Sequence, residues 1–404
     1  MSAPWHFSPE RGPHIRNREL DALRGFAALS VLLYHVLALN WASLQNGVYL
    51  EPAANVWANV LIFSPAHIVW LGAEAVWFFF VLSGFVLTKA AARPDFYLPS
   101  YYPSRLVRLY GPVLLAIVLA WLTYTLVPHV VEPGDPPAIA GLPAGYPLGD
   151  ILRDATLLGG TSTSIGVLWS LQWEVLFSLA LPVYLLLVRK YPKSATAVAV
   201  VSCLVGWANA DQVLSFMPMF FFGALLAQYW ERVCRAFSFL RNGRLSSHAW
   251  GAVLVALAAC GLTSYFLLGR WLGSVGAPAR VVTLPLVMAA IMLLIIVSVN
   301  WPPLSRLLST RGLVFLGTIS FSLYLVHRPI MIMVAFLAGI GPMPAILAIV
   351  ASVGVAIGFY YVAERPVHRL SRRIERSVRA SAATPQPRGD STAAEAARAD
   401  TLPG

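Results

Sequence analysis

The sequence predicts an all-α, polytopic transmembrane helical bundle, and three observations carry that expectation. Hydrophobic residues make up 58% of the 404-residue chain and charged residues only 12%, against roughly 25% charged residues in soluble domains. Mean hydropathy is +0.69. Apolar runs long enough to span a bilayer recur at about ten places: 22–41, 68–89, 109–128, 168–188, 195–210, 212–230, 248–268, 279–299, 312–338 and 343–363. The pair 195–210 and 212–230 is the shortest and closest-spaced.

Orientation follows from Lys and Arg, which cytoplasmic loops retain. The basic connections carry Arg11, Arg16 and Arg18; Lys89, Arg93 and Arg105; Arg189, Lys190 and Lys193; Arg232, Arg235, Arg241 and Arg244; and Arg306 and Arg311. Arg365, Arg369, Arg372, Arg373, Arg376 and Arg379 flank the last run. The intervening connections are nearly free of positive charge, with Arg153, Arg270 and Arg280 as exceptions. Both termini are therefore predicted cytoplasmic. The net charge of +11 reads as topology and membrane-surface attraction, with no nucleic-acid partner, and a basic inner surface attracts an anionic cytosolic cosubstrate. Cys203, Cys234 and Cys260 lack metal-ligand spacing, so neither disulfide nor metal is expected.

Residues 1–18 form a polar N-terminal tail. The first run lacks a small-residue cleavage signal and reads as a retained helix. A transmembrane domain is expected over 19–370, followed by a basic tail over 371–404. From Ser377 the composition turns to Ala, Pro, Ser, Thr, Arg and Asp without apolar periodicity, which predicts disorder. Two outward stretches, 41–67 and 129–167, are too long for simple turns, and such loops are often functional. Trp41 and Trp57 in the first read as interfacial anchors.

Within the first span, Arg24 and His35 are eleven residues apart. Eleven steps of 100° return almost to one helix face, with roughly 16 Å between the two positions. That pattern suits a large anionic molecule entering from one side with its reactive end forward, since ionisable residues at bilayer depth mark functional sites. The alternative is a snorkelling Arg and a packing His. Glu174 in the fourth span is predicted at His35's depth, where a carboxylate would fix the imidazole tautomer and support the imidazolium. A structural polar pair is the other reading. Glu74 is a rival partner, more readily read as a partly hydrated acid near a loop.

Ser83 and Gly84, near the inner end of the second span, permit close helix approach or leave a gap for a ligand. Arg105 and Arg108 lie one helical turn apart before the third run, so their guanidinium groups can converge on phosphate or simply mark topology. His327 alone reads as a packing residue. Its neighbour Arg328, beside Pro329 in the ninth run, needs a cavity, a carboxylate or a bound anion.

The segments Leu20-Asp-Ala-Leu-Arg24-Gly-Phe-Ala-Ala with His35, Phe79-Phe-Val-Leu-Ser-Gly-Phe85, Arg105-Leu-Val-Arg108 with Pro112, Leu168-Trp-Ser-Leu-Gln-Trp-Glu174, Ser320-Phe-Ser-Leu-Tyr-Leu-Val-His327 and Glu364-Arg-Pro366 occur in this order. Together they resemble the integral-membrane acyltransferase 3 family. The resemblance implies transfer of an acyl group, commonly acetyl, from cytoplasmic acyl-coenzyme A to a hydroxyl of a glycan or other acceptor. It implies that His35 is the essential catalytic residue, that Arg24, Arg105 and Arg108 contact the donor, and that Glu174 is the acid of the family's Trp-Ser-Leu-x-x-Glu motif. Val175 and Ser178 stand where Glu and Tyr often accompany that acid. No hydrolase-like domain follows the tenth span, so a separate partner is expected to handle the acceptor. A bacterial inner membrane is the expected location.

The residues themselves support the same chemistry. A neutral His35, with an ordinary pKa of about 6.5, can take the acceptor proton or carry the acyl group. Arg24, Ser83 and Ser170 are candidate oxyanion donors. The competing reading is a multi-span transporter of a small anion or glycan precursor, although no internal repeat supports it.

Overall fold

The computed structural model describes residues 17–53, 55–269, 271–272 and 277–383, and among these no strand occurs. Thirteen of the nineteen α-helices among the described residues organise the bundle: α1 (Arg18–Asn40), α2 (Ala73–Ala91), α3 (Leu98–Leu126), α4 (Trp169–Lys190), α5 (Pro192–Ala208), α6 (Gln212–Gln228), α7 (Trp230–Ala236), α8 (Leu245–Leu262), α9 (Ala277–Asn300), α10 (Arg311–Thr318), α11 (Ser320–Ala338), α12 (Pro342–Phe359) and α13 (Arg365–Ala383). Eight described helices are long and apolar enough to cross a membrane, or nine if α6 and α7, which meet at a 68° bend, form one span.

Several boundaries differ from the ten-run expectation, each for a local reason. α3 starts at Leu98, not at 109, because the polar Arg105 to Arg108 turn is itself helical. Its 29 residues reach about 43 Å, beyond the ~30 Å hydrocarbon core. Pro65–Trp70 form a tight turn before α2, which begins only at Ala73. The 312–338 run breaks at Ile319 into α10 and α11. At the C-terminal end α12 passes through a π-turn, Tyr360–Glu364, into α13. The basic tail expected from 371, with disorder from Ser377, is therefore helical to Ala383. The remaining tail residues, like residues 1–16 and Arg270, lie outside the described set.

Lipid is as apolar as a side chain, so close backbone approach and dispersion drive helix association. Glycines provide that approach. A Cβ at Gly84 of α2 would run into the Phe220 carbonyl of α6, and one at Gly223 of α6 would meet the Val81 carbonyl of α2. α1 crosses α10 in the same way, where Gly317 abuts the Asp21 carbonyl.

The 41–70 segment is folded, not extended. Ile62 and Trp70 are fully buried beneath it against Tyr265 and Phe266, whereas Trp57 is 83% exposed. Beside this layer, Glu74 is only 1% exposed and pairs with Arg280 at 3.3 Å. Arg280 also sits over the rings of Trp77, Trp207 and Tyr265. Glu74 is thus a buried structural acid; it is neither hydrated nor the partner of His35.

Candidate active site

The start of α1 and the first turns of α13 meet around a cavity of about 1630 Å³. Nine Lys and Arg residues line it against five Asp and Glu. Arg24 enters from α1, Arg105 and Arg108 from α3, and Arg372 from α13. Their convergence follows from the early start of α3 and the helical continuation after the π-turn. Deeper in, the wall becomes aromatic and small through Phe79, Phe80, Ser170 and Tyr324. A charged mouth with an apolar inner end is the profile of a site for an amphiphilic anion.

Glu174 lies in this cavity wall. Its Oε1 accepts from Arg105 Nη2 at 2.5 Å and from Ser83 Oγ at 2.9 Å. Arg105 Nε donates to Ser178 Oγ at 3.2 Å, and Ser178 in turn donates to the Glu174 carbonyl at 2.7 Å. The expected meeting of Glu174 with His35 does not occur. Equal depth fails because the 157–168 segment descends into the bundle, with Ile165, Val167 and Leu168 at 0, 1 and 0% exposure. α4 therefore starts below the surface and carries Glu174 toward the basic end. Ser178 acquires a role as the second acceptor for Arg105, which the motif alone did not show.

His35 meets another histidine. Its Nδ1 bonds the Val31 carbonyl at 2.9 Å, and the Nε2 of His327 lies 3.3 Å from the same nitrogen. His327 Nδ1 bonds the Leu323 carbonyl at 3.0 Å. A carbonyl can only accept, so in the neutral pair each Nδ1 carries the proton. The lone pair of His327 then faces the His35 N–H, and His35 Nε2 is left as a proton acceptor. His327 is fully buried, whereas His35 keeps part of its surface open. Aromatic contacts lead from the cavity to this pair: Phe79 against Tyr324 and Tyr324 against His327, each with 6.0 Å between centroids.

The other sequence candidates divide. Arg24, Ser83, Arg105 and Arg108 line the cavity. Gly84 does not; it faces the α6 backbone, so of its two readings helix approach is the one realised. Of the oxyanion candidates, Ser83 is engaged by Glu174. Ser170 bonds Tyr324 Oη at 2.7 Å. Arg328 donates no hydrogen bond or ion pair to a described residue, its buried Nε has no partner, and its guanidinium lies directly against Gly166.

Glu364, which the sequence offers only as part of the Glu364-Arg-Pro366 segment, lies at the cavity edge and is 3% exposed. It accepts from Ser322 N at 3.1 Å and Ser322 Oγ at 2.5 Å, capping the first turn of α11, the helix that carries His327. An isolated carboxylate closing an apolar run was the available signal.

Comparison with known proteins identifies relatives. The acyltransferase 3 profile, described as an acyltransferase domain, matches residues 17–363. The chain is 26% identical to Nodulation protein 10 of Rhizobium leguminosarum bv. viciae over 248 residues, covering 54% of this chain and 61% of that protein. It is 30% identical to Acyltransferase MdmB of Streptomyces mycarofaciens over 179 residues, covering 44% of this chain and 41% of the relative. The chain thus matches less than two thirds of each relative's length. No solved structure matches.

Proposed function

This chain belongs to the acyltransferase 3 family, and we propose that it is a membrane-embedded O-acyltransferase moving an acyl group, acetyl foremost, from acyl-coenzyme A to a hydroxyl of a glycan or other acceptor. The observation that carries the reading is the path along α1: Arg24 stands in the wall of the basic cavity, and His35, with Nε2 available, stands beyond its aromatic end. The separation of roughly 16 Å is one that an extended phosphopantetheine arm bridges. The donor's phosphates lie among Arg24, Arg105 and Arg108, and its thioester is delivered toward the histidines. Positive charge in the basic loops supports a cytoplasmic donor side in a bacterial plasma membrane.

In the direct route His35 Nε2 takes the proton of the acceptor hydroxyl as its oxygen attacks the thioester carbon. The resulting imidazolium still donates through Nδ1 to Val31 and to the neutral His327, which disperses its charge. Collapse breaks the C–S bond, and the departing thiolate takes the proton. Glu174 acts at a distance from this chemistry by holding Arg105.

Mass spectrometry of surface glycans and extracts from cells with and without this protein tests the proposal and names the acceptor. An acylated product that depends on the protein supports it. Unchanged acylation, together with no thiol release from acyl-coenzyme A by purified protein, would favour a carrier of small anions.

A further inference from the structure

The tetrahedral intermediate of acyl transfer places a negative charge on the former carbonyl oxygen, and a site inside the bilayer must oppose it with a donor that has no other commitment. The obvious donors fail this test. Arg24 lies about 16 Å along α1 from His35, Ser83 donates to Glu174, and Ser170 is bonded to Tyr324. Tyr324 in turn bonds the Val167 carbonyl at 3.1 Å.

Arg328 is different. It follows His327 directly in the middle of α11, and its charge is within electrostatic reach of both His35 and His327. It forms no hydrogen bond or ion pair with any described residue, and its Nε is buried without a partner. The residue retains part of its exposure. Gly166, at φ +68°, lets the descending loop lie flat against the guanidinium, where any Cβ would overlap Nη1. An uncompensated guanidinium at this depth is costly unless an anion meets it during function. The tyrosines nearest to it, Tyr34 and Tyr124, carry phenol hydroxyls, which are not carboxylate-type counter-ions at neutral pH.

We propose that the Arg328 guanidinium stabilises the oxyanion formed when a hydroxyl adds to the acyl thioester beside His35, an assignment that rests on the acyl-transfer reading above. The C–O bond forms as the carbonyl π pair moves onto oxygen. Two N–H groups of one guanidinium meet that oxygen. The C–S bond then breaks as the pair returns, and Arg328 neither gains nor loses a proton. The same charge forms when water replaces the acceptor, so the role is measurable without knowing the acceptor.

The test uses the full chain in detergent with acetyl-coenzyme A as probe, reading thiol release at saturating donor and donor affinity separately. Arg328→Ala is expected to slow release about 100-fold with donor affinity unchanged, Arg328→Lys to retain an intermediate rate, and added guanidinium ion to restore part of the Ala variant's rate. A rate for Arg328→Ala within about threefold of wild type overturns the assignment. So does a loss confined to donor affinity, or loss of donor binding in both variants, which would make Arg328 a structural prop. Wild-type protein that releases no thiol would instead overturn the acyl-transfer reading itself.

Discussion

His327 Nε2 lies 3.3 Å from His35 Nδ1, and each ring is anchored through Nδ1 to the backbone carbonyl one turn back in its own helix. Two anchored histidines divide the work, since only His35 has its second nitrogen uncommitted. His327→Phe keeps the ring volume but removes one hydrogen bond to His35, worth about 0.5–1.5 kcal/mol, so thiol release should fall by up to about tenfold. A loss as large as that of His35→Ala would show that the pair acts as one unit. Single-turnover thiol release with each purified variant separates the two outcomes.

Arg105 should affect both donor binding and stability, because it bonds Glu174 and Ser178 while lining the cavity. Arg108→Gln is expected to weaken acyl-coenzyme A binding by roughly ten- to hundredfold, as for one lost charge-assisted contact. Arg105→Gln should do the same and lower the melting temperature further, since it strands a Glu174 side chain only 16% exposed. Isothermal titration and thermal unfolding in detergent, at low and high salt, check both. Equal melting temperatures for the two variants would contradict the Arg105 to Glu174 anchor.

Gly84 should report on assembly and not on the donor. Gly84→Ala places a methyl group on the Phe220 carbonyl, so the α2 to α6 crossing must open, as in overpacking, at about 1–3 kcal/mol. Reduced yield and melting temperature with unchanged donor affinity per folded molecule is the expected outcome. Weakened donor affinity in fully folded protein would instead restore Gly84 to the binding site.

How much of this was legible in the sequence depends on whether a feature is local. Arg24 and His35 lie on one face of one helix, so helical period alone aligned them. The Gly84 approach likewise follows from residue size. The pairing of Glu174 with Arg105 joins two helices whose adjacency no periodicity encodes, and it depends on the buried Ile165, Val167 and Leu168 lowering the start of α4. The burial of Glu74 is hidden from the sequence for the same reason, because its partner Arg280 is 206 residues away. The break at Ile319 and the π-turn at Tyr360–Glu364 sit inside continuous apolar patterns that hydropathy cannot resolve.

Topology gives a prediction independent of chemistry. A cysteine at exposed Glu132 should react with a membrane-impermeant thiol reagent in intact cells, and cysteines at Arg105 and Arg232 should not. Labelling at 105 or 232 in intact cells would invert the orientation and move the donor cavity to the outer side.

The most direct test of the central claim is acyl transfer by His35→Ala. The substitution removes the imidazole and its uncommitted Nε2 while leaving Arg24, Arg105 and Arg108 in the cavity. Purified variant and wild type should therefore bind acyl-coenzyme A equally well. Thiol release at saturating donor should fall by about 10²- to 10⁴-fold in the variant, the usual contribution of a positioned general base. Thiol release by His35→Ala at the wild-type rate would contradict the account.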